Sequence, residues 1–425
     1  MNRDELREKE KENYSKILRF THNLISKYPE LKELGYSINW GLFSFINSGS
    51  EYVLKKEKNK LFLPLSFPNK KYFITFGSIN LKVLDSFIAD EISLFQIKLT
   101  KKPIGIRTSK GLFFPQRYAK SQIKINSFLE NQLIEQSRKI AEDNIKDISL
   151  FKNELRMILK RAKPLFILLD EDQTKYKRAL VSIANEYNIR SFVLQHGITL
   201  KERKNGVPFA NESFQPLNAD IFLCWGKRSY DYMSSFEKMK ERVFIAGSPK
   251  MFFDNEQHIK IRSLLIIDQQ FISQDEERRF AYEDLINKLI KESIDFNIYL
   301  RMNYNKDYLS RLAKGRIIEW KKNTIRKEIL KSKCILGFTS TALLESLYSF
   351  IPVISYDYLG FNDQIGFNSE VSSSAFSLED VIEKIREYNS VEKTKNKFIS
   401  FIRENVDCEG EKSVKLIKSI VLSHI

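Results

Sequence analysis

The 425-residue chain has only three cysteines, and Cys224, Cys334 and Cys408 form no C-x-x-C pair. That spacing excludes a disulfide framework and a Cys-rich zinc site, and it fits a reducing compartment. Glycine (15) and proline (10) are too scarce for a collagen-like or proline-rich chain. With four histidines there is no His-rich metal cluster, and neither a Walker A loop nor a Gly-x-Ser-x-Gly nucleophile elbow occurs. Long apolar runs are also missing. The longest nearly uncharged stretch, Cys334–Tyr356, carries Glu345 at its centre and Pro352 near its end. A spanning helix would place that carboxylate in hydrocarbon at a cost of about 3 kcal/mol. Met1–Glu12 interleaves Arg and Lys with Asp and Glu and has no apolar stretch behind it, unlike a signal peptide. A cytoplasmic protein is expected.

What the chain does have is enough apolar material to fold. Hydrophobic residues make up 42% and aromatics 12%, which excludes a mostly disordered chain. The length calls for two domains of roughly 150–200 residues each. Lys and Arg number 70 against 54 Asp and Glu, a formal charge of +16. Such an excess fits nucleic acid, an anionic membrane or acidic substrates, and a Lys-, Ile- and Asn-rich composition is also what an AT-biased genome yields. One segment rises above that background: Lys98–Lys124 carries eight basic residues and no acid, interleaved with Phe113, Phe114 and Tyr118. It predicts peripheral contact with an anionic membrane at its inner face. A basic nucleic-acid-binding protein is the non-enzyme alternative. The chain shows no RRM, KH or helix-turn-helix signature, which disfavours it.

Apolar strand-length runs alternate with helical patterns from residue 164 onward. Strands are predicted at 164–170, 191–195, 220–225 and 242–246, with helices at 176–187 and 229–239. The rhythm restarts with strands at 263–267, 296–300, 334–337 and 352–355, and helices at 275–292, 324–331, 340–349 and 377–388. Continuous apolar strands between helices mean parallel strands covered on both faces. The predicted class is α/β, two Rossmann-like doubly wound domains facing a cleft, hinged near 247–262. Domain boundaries are expected at 1–247 and 248–425, with the last helix packing back on the first domain. Residues 1–35 read as a helical start. In 36–125 only strands at 71–76 and 95–99 and a helix near 81–92 emerge.

Chemistry gathers at the strand ends. Gly337-Phe-Thr-Ser-Thr-Ala-Leu-Leu-Glu345 reads as a strand, a turn of small hydroxyl residues and a helix start. Free backbone N–H groups and the helix dipole there favour an anion such as a diphosphate. Ordinary Ser/Thr capping of a core helix gives the same pattern. His196 follows the 191–195 strand and precedes Gly197, in position to act as a general base or to bind a phosphate, or simply to satisfy turn carbonyls. Asp170, Glu171 and Asp172 end the preceding strand. They fit a base or an orienting group for His196, dipole partners for the next helix, or an Asp-x-Asp metal motif.

Together these segments resemble a family. Gly-x-Thr-Ser-Thr-x-Leu-x-Glu followed by Pro352-Val-Ile is similar to the donor-binding element of GT-B glycosyltransferases of capsule and surface-polysaccharide synthesis, and more distantly of teichoic-acid glycerophosphotransferases. Gln195-His196-Gly197, Trp225-Gly226 and Gly247-Ser-Pro-Lys250 with Asp254 match further elements in the same order. The resemblance implies a metal-independent transferase that takes a nucleotide sugar as substrate, without a cofactor, and moves the sugar to a surface-glycan or lipid-linked acceptor. It implies donor contacts from Arg301, Asn303, Thr339, Ser340, Thr341, Glu345, Gly247 and Ser248, with His196, Asp170 and Glu171 at the acceptor. The family's usual His-Pro after the Arg301 strand is absent; Leu300-Arg-Met-Asn303 stands there. A CDP-glycerol-dependent glycerophosphotransferase and a sugar-nucleotide epimerase of the same shape are the neighbouring alternatives. The second sheet from 263 onward argues against the single-sheet GT-A class and its metal motif.

Overall fold

The computed structural model describes residues 50–55, 71–76, 79–90, 92–100, 111–115, 118–124, 148–149, 151–172, 174–198, 218–251, 263–267, 276–292, 297–301, 317–319, 325–337, 340–356, 373–388 and 395–425, together with 20, 26, 367 and 371. Strand β1 (Ser50–Lys55) pairs antiparallel with β5 (Tyr118–Lys124) as a two-stranded sheet. The first large sheet contains β2 (Tyr72–Phe76), β3 (Ser93–Thr100), β4 (Gly111–Pro115), β6 (Phe166–Leu169), β7 (Arg190–Leu194), β8 (Ile221–Cys224) and β9 (Val243–Ile245). Its seven strands run parallel in the order β4-β3-β2-β6-β7-β8-β9. The strand order therefore reverses direction between β2 and β6. The second sheet contains β10 (Ser263–Ile267), β11 (Asn297–Arg301), β12 (Ile317–Glu319), β13 (Cys334–Gly337), β14 (Val353–Tyr356) and β15 (Ser374–Ala375). It runs β12-β11-β10-β13-β14-β15, also parallel, with its reversal between β10 and β13. Both are doubly wound Rossmann-like sheets, and ligands of such sheets bind at the carboxyl edge near the reversal.

Alternation along each strand decides what covers each face. In β2, Tyr72, Ile74 and Phe76 join helices α2 (151–162) and α3 (Lys175–Glu186), through Leu155, Ile158, Ala179 and Ile183. Phe73 turns the other way and stacks on Phe166 at 4.9 Å beneath α1 (Leu81–Ile88). Helix α1 starts because Asn80 caps it, accepting the Lys82 N–H at 2.9 Å. It ends at Ile88, short of the 81–92 expectation, because the chain turns back there. The Asp90 and Ile92 N–H groups both bond to the Phe87 carbonyl, dropping Ile92 into the core.

The expected 229–239 helix likewise divides. Helix α4 (Lys227–Ser234) stops where Ser235 Oγ bonds back to the Tyr232 carbonyl at 2.6 Å. Phe236 then takes extended backbone, and a 3-10 turn, Glu237–Met239, follows. The break lets Phe236 and Met239 both reach the core. Strands β12 and β15, of three and two residues, are too short to leave a pattern in sequence. The basic 98–124 segment spans β3, β4 and β5, and its residues 101–110 and 116–117 lie outside the described residues. So do residues 252–262 of the expected hinge.

The remaining helices are α5 (Glu276–Lys291), α6 (Ile325–Lys331), α7 (Thr341–Tyr348), α8 (Leu378–Glu387), α9 (Lys395–Asn405) and α10 (Gly410–Ser423). Helices α5 and α8 cover one face of the second sheet, and α6 and α7 lie against the other. Helix α9 then joins the two sheets' cores: Phe401 and Ile402 share one apolar cluster with Tyr232 and Met233 of α4 and with Leu344 and Leu347 of α7. Helix α10 packs on the first sheet beside α1, burying Val414, Ile417 and Val421 against the Phe73 side. Among the described residues no helix is long and apolar enough to cross a membrane.

The chain passes between the sheets twice, and the two passages are bonded side by side. The Ser248 N–H donates to the Cys408 carbonyl (2.8 Å), the Gly410 N–H to the Ser248 carbonyl (3.2 Å), and the Asp407 N–H to the Trp225 carbonyl (2.9 Å). Gly247, at φ 71°, permits this approach, because a Cβ there would collide with the Cys408 carbonyl and sulfur. Gly247→Ala should therefore lower unfolding free energy by about 2 kcal/mol or more, from left-handed strain plus the collision. Urea denaturation of the two proteins measures this directly.

Candidate functional site

Two strand-edge regions carry the chemistry. In the second sheet, β13 leads into α7 beside the β10–β13 reversal. Ser340 caps α7, its Oγ accepting the Ala342 N–H at 3.2 Å, and both Ser340 and Thr341 are half-buried. Glu345 lies one turn further in, also half-buried among the buried Leu343, Leu344 and Ser346. Arg301 ends β11 in register with Ile267, the last residue of β10, which places it on the same carboxyl edge. Asn303 and Thr339 lie outside the described residues.

In the first sheet, the loops after β6 and β7 meet. His196 follows β7, and its Nδ1 is 2.8 Å from the Asp170 carbonyl oxygen. In the neutral ring Nδ1–H donates to that carbonyl, which makes Nε2 the basic nitrogen. The Asp170 side chain is engaged elsewhere: Lys177 Nζ lies 2.6 Å from Asp170 Oδ1 and 2.6 Å from Glu171 Oε1. Glu171 also accepts the Thr174 N–H and hydroxyl, both at 3.0 Å, at the start of α3. Burial on its own would push Lys177 down, but Glu171 and Asp170 outweigh it and hold the ammonium above its usual range. Both carboxylates are thus engaged by one ammonium. The two side chains hold the loop to the start of α3, and the Asp170 carbonyl orients His196.

Asp172, the third acid, is fully buried. Its Oδ2 accepts the N–H groups of Asn218 (2.5 Å) and Ala219 (2.9 Å), holding the approach to β8, and its Oδ1 has no hydrogen-bond partner. Desolvation raises its pKa to about 6 against the two N–H bonds and Arg178, which lower it. Among the described residues no group of three or more His, Cys, Asp or Glu is placed to hold a metal ion.

Gln195, in sequence the first residue of the Gln-His-Gly element, was assigned no role there. Nearly buried, it ties the two loops: its Nε2 donates to the Gly197 carbonyl at 2.7 Å and its Oε1 accepts the Trp225 N–H at 2.7 Å. Beside it opens a small pocket, open to solvent. Its walls are Ile79, Leu194, Leu223, Trp225 and Ile417, and His196, Asn80 and Lys250 stand at its polar side. The structure thus brings His196, Asp170 and Gly247 to one pocket. Ser248 does not open onto it. That residue is fully buried, with its backbone bonded to Cys408 and Gly410.

No protein-family model matches the chain, and no curated protein does. Solved structures do. The S. aureus MnaA–UDP complex aligns over 84% of this chain and 98% of its own, at TM-score 0.54 and 14% identity. The Methanocaldococcus jannaschii UDP-GlcNAc 2-epimerase in complex with UDP-GlcNAc and UDP covers 83% and 99%, at 0.52 and 13%. The Rickettsia bellii UDP-N-acetylglucosamine 2-epimerase covers 84% and 97%, at 0.51 and 13%. The fold is of the GT-B type, two Rossmann-like domains facing a cleft.

The loop itself can be tested in two ways. Lys177→Met leaves two half-buried carboxylates facing each other and should cost about 3 kcal/mol of stability, measured by urea denaturation at pH 7. Asp172 has a folded-state pKa of about 6 against an ordinary 3.8, so between those values the folded chain holds the extra proton. Its contribution to stability is complete below pH 3.8 and is lost as pH rises through about 6. In Asp172→Asn the decline in stability between pH 4 and 7 should shrink by at most about 3 kcal/mol.

Proposed function

We propose that this chain is a glycosyltransferase that moves a sugar from a nucleotide-activated donor to a surface-glycan or lipid-linked acceptor. The observation that carries the reading is His196, an imidazole oriented by the Asp170 carbonyl at the carboxyl edge of one sheet and on the wall of a pocket. It sits in a fold whose other sheet presents a serine-capped helix start at its own carboxyl edge. In this reading the acceptor hydroxyl loses its proton to His196 Nε2 as its oxygen attacks the anomeric carbon. The nucleoside diphosphate leaves toward α7, where the first N–H groups and the Ser340 and Thr341 hydroxyls stabilise the phosphate charge. Thr339, Arg301 and Asn303 complete the phosphate contacts that the family resemblance implies, and Glu345 receives a ribose or sugar hydroxyl. The chemistry asks for no metal.

A second reading is a sugar-nucleotide epimerase. It is favoured by alignment with the M. jannaschii and R. bellii enzymes over nearly their whole lengths. Incubating the protein with radiolabelled UDP-sugars, with and without an acceptor glycan, separates the two: transfer supports the first, and isomerisation without acceptor the second. Transfer from CDP-glycerol instead would assign a glycerophosphotransferase. His196→Ala should lower turnover by roughly 10²–10⁴-fold, the range for a positioned acid–base group, with an unchanged melting temperature. Glu345→Gln should weaken nucleotide binding in calorimetry while the protein stays folded, and equal affinity would remove Glu345 from the donor site.

A further inference from the structure

The ladder between β7 and β8 closes at Gln195, whose N–H donates to the Leu223 carbonyl at 3.0 Å. From there its side chain takes over. Alternation puts Gln195 on the same face of β7 as Val193, the face that shares an apolar cluster with Trp225. The residue is only 5% exposed. A polar group so placed costs free energy unless its bonds are made, and an apolar side chain of the same length would fill the space without that demand. Both ends of the amide are bonded at 2.7 Å, Nε2 to the Gly197 carbonyl and Oε1 to the Trp225 N–H. A carbonyl can only accept and an N–H can only donate, so these partners fix which way the amide faces.

The two partners differ in kind. Gly197 belongs to the turn that carries the exposed His196. Trp225 is buried, and its carbonyl accepts the Asp407 N–H at 2.9 Å, in the chain that crosses between the sheets. The next residue, Gly226, lies so near Asn405 and Val406 that a Cβ would collide with their backbone. Trp225 is therefore held from both sides, and the Gln195 amide extends that hold to the turn. The bond from His196 Nδ1 to the Asp170 carbonyl, at 2.8 Å, needs both of its ends in place. Lys177 secures the Asp170 end, and Gln195 secures the other.

We propose that Gln195 is the positioning residue for His196: by tying the turn after β7 to Trp225, it keeps Nδ1–H on the Asp170 carbonyl and leaves Nε2 as the basic nitrogen. This deepens the glycosyltransferase reading and rests on it for the ring's role. The tautomer itself needs no turnover to be read, so the two claims fail separately.

Nitrogen-15 NMR of the full chain, labelled at histidine, tests this at about pH 8.5, where an ordinary imidazole is neutral. The chain has four histidines, and His196→Ala identifies the signal. Native His196 should carry its proton on Nδ1. Gln195→Met keeps the length of the side chain and removes both bonds, and Gln195→Glu keeps the acceptor for Trp225 but, ionised, offers Gly197 no proton. In either variant the Nδ1–H share at His196 should fall by about half or more, since the bond that selects it is loosened. With a nucleotide sugar and acceptor, kcat should fall roughly 10–100-fold while KM stays within about twofold. Ser191→Ala, at the other end of β7, removes a hydroxyl bonded to Asp220 at 2.8 Å and is the control: it should lower stability and leave the tautomer alone. A native His196 protonated on Nε2, an unchanged tautomer in the folded Gln195 variants, or an equal change in Ser191→Ala would overturn the assignment. If the Gln195 variants shift the tautomer while the native protein consumes no nucleotide sugar, the positioning role stands and the transferase reading falls. If the native protein transfers sugar while the Gln195 variants keep both tautomer and kcat, the reverse holds.

Discussion

The bonded double passage between the sheets is the constraint on which the rest of the molecule depends. Residues 246–250 leave the first sheet and 405–410 return to it, and backbone hydrogen bonds lock them together. Ser413 Oγ adds a bond to the Ala246 carbonyl at 2.8 Å. Buried backbone groups at such a junction must find partners, and each strand of chain supplies what the other lacks. Gly226 is part of the same contact, because a Cβ there would lie 2.7 Å from the Asn405 carbonyl carbon. Helix α4 can therefore begin directly against the end of α9.

From that junction the two edges of chemistry become one system. Tyr348, at the end of α7, places its hydroxyl 3.4 Å from the Val406 carbonyl. Arg228 of α4, nearly buried, reaches Glu404 at 2.8 Å and lies over the Phe401 ring. The helix that Ser340 caps and the helix that follows Trp225 thus pack on the same element, α9. An apolar cluster continuous across both sheets is expected to limit movement at this side, because close-packed side chains interchange between discrete arrangements and do not deform smoothly.

The loop that carries His196 shows how charge is used for position. Three consecutive acids follow β6, and no two of them do the same work. Asp170 lends its carbonyl to His196, Glu171 caps α3, and Asp172 holds the start of β8. Lys177 neutralises the first two within 2.6 Å. Burying this set is tolerable because every charge but that of Asp172 meets an opposite charge, and Asp172 meets two N–H groups.

The sequence by itself determined the sheets' rhythm. The runs at 263–267 and 334–337 are strands at those very residues, because a short apolar run bounded by polar turns has few other ways to be buried. It also determined that the hydroxyl turn before Ala342 caps a helix, since Ser at that place satisfies an otherwise orphaned N–H. Tertiary structure decided what such local patterns do not encode. The strand order of the first sheet depends on pairing between β2 and β6, where Ile74 meets Ile167 from far along the chain, and β12 and β15 exist only because a neighbouring edge was there to bond. That Lys177, in the first turn of the next helix, pairs with both Asp170 and Glu171 was likewise decided only by folding. Gln195 and Ile417 became parts of one pocket only when α10 came back to the first sheet. A residue's type fixes which bonds it can make, but the partner that takes them comes from distant chain.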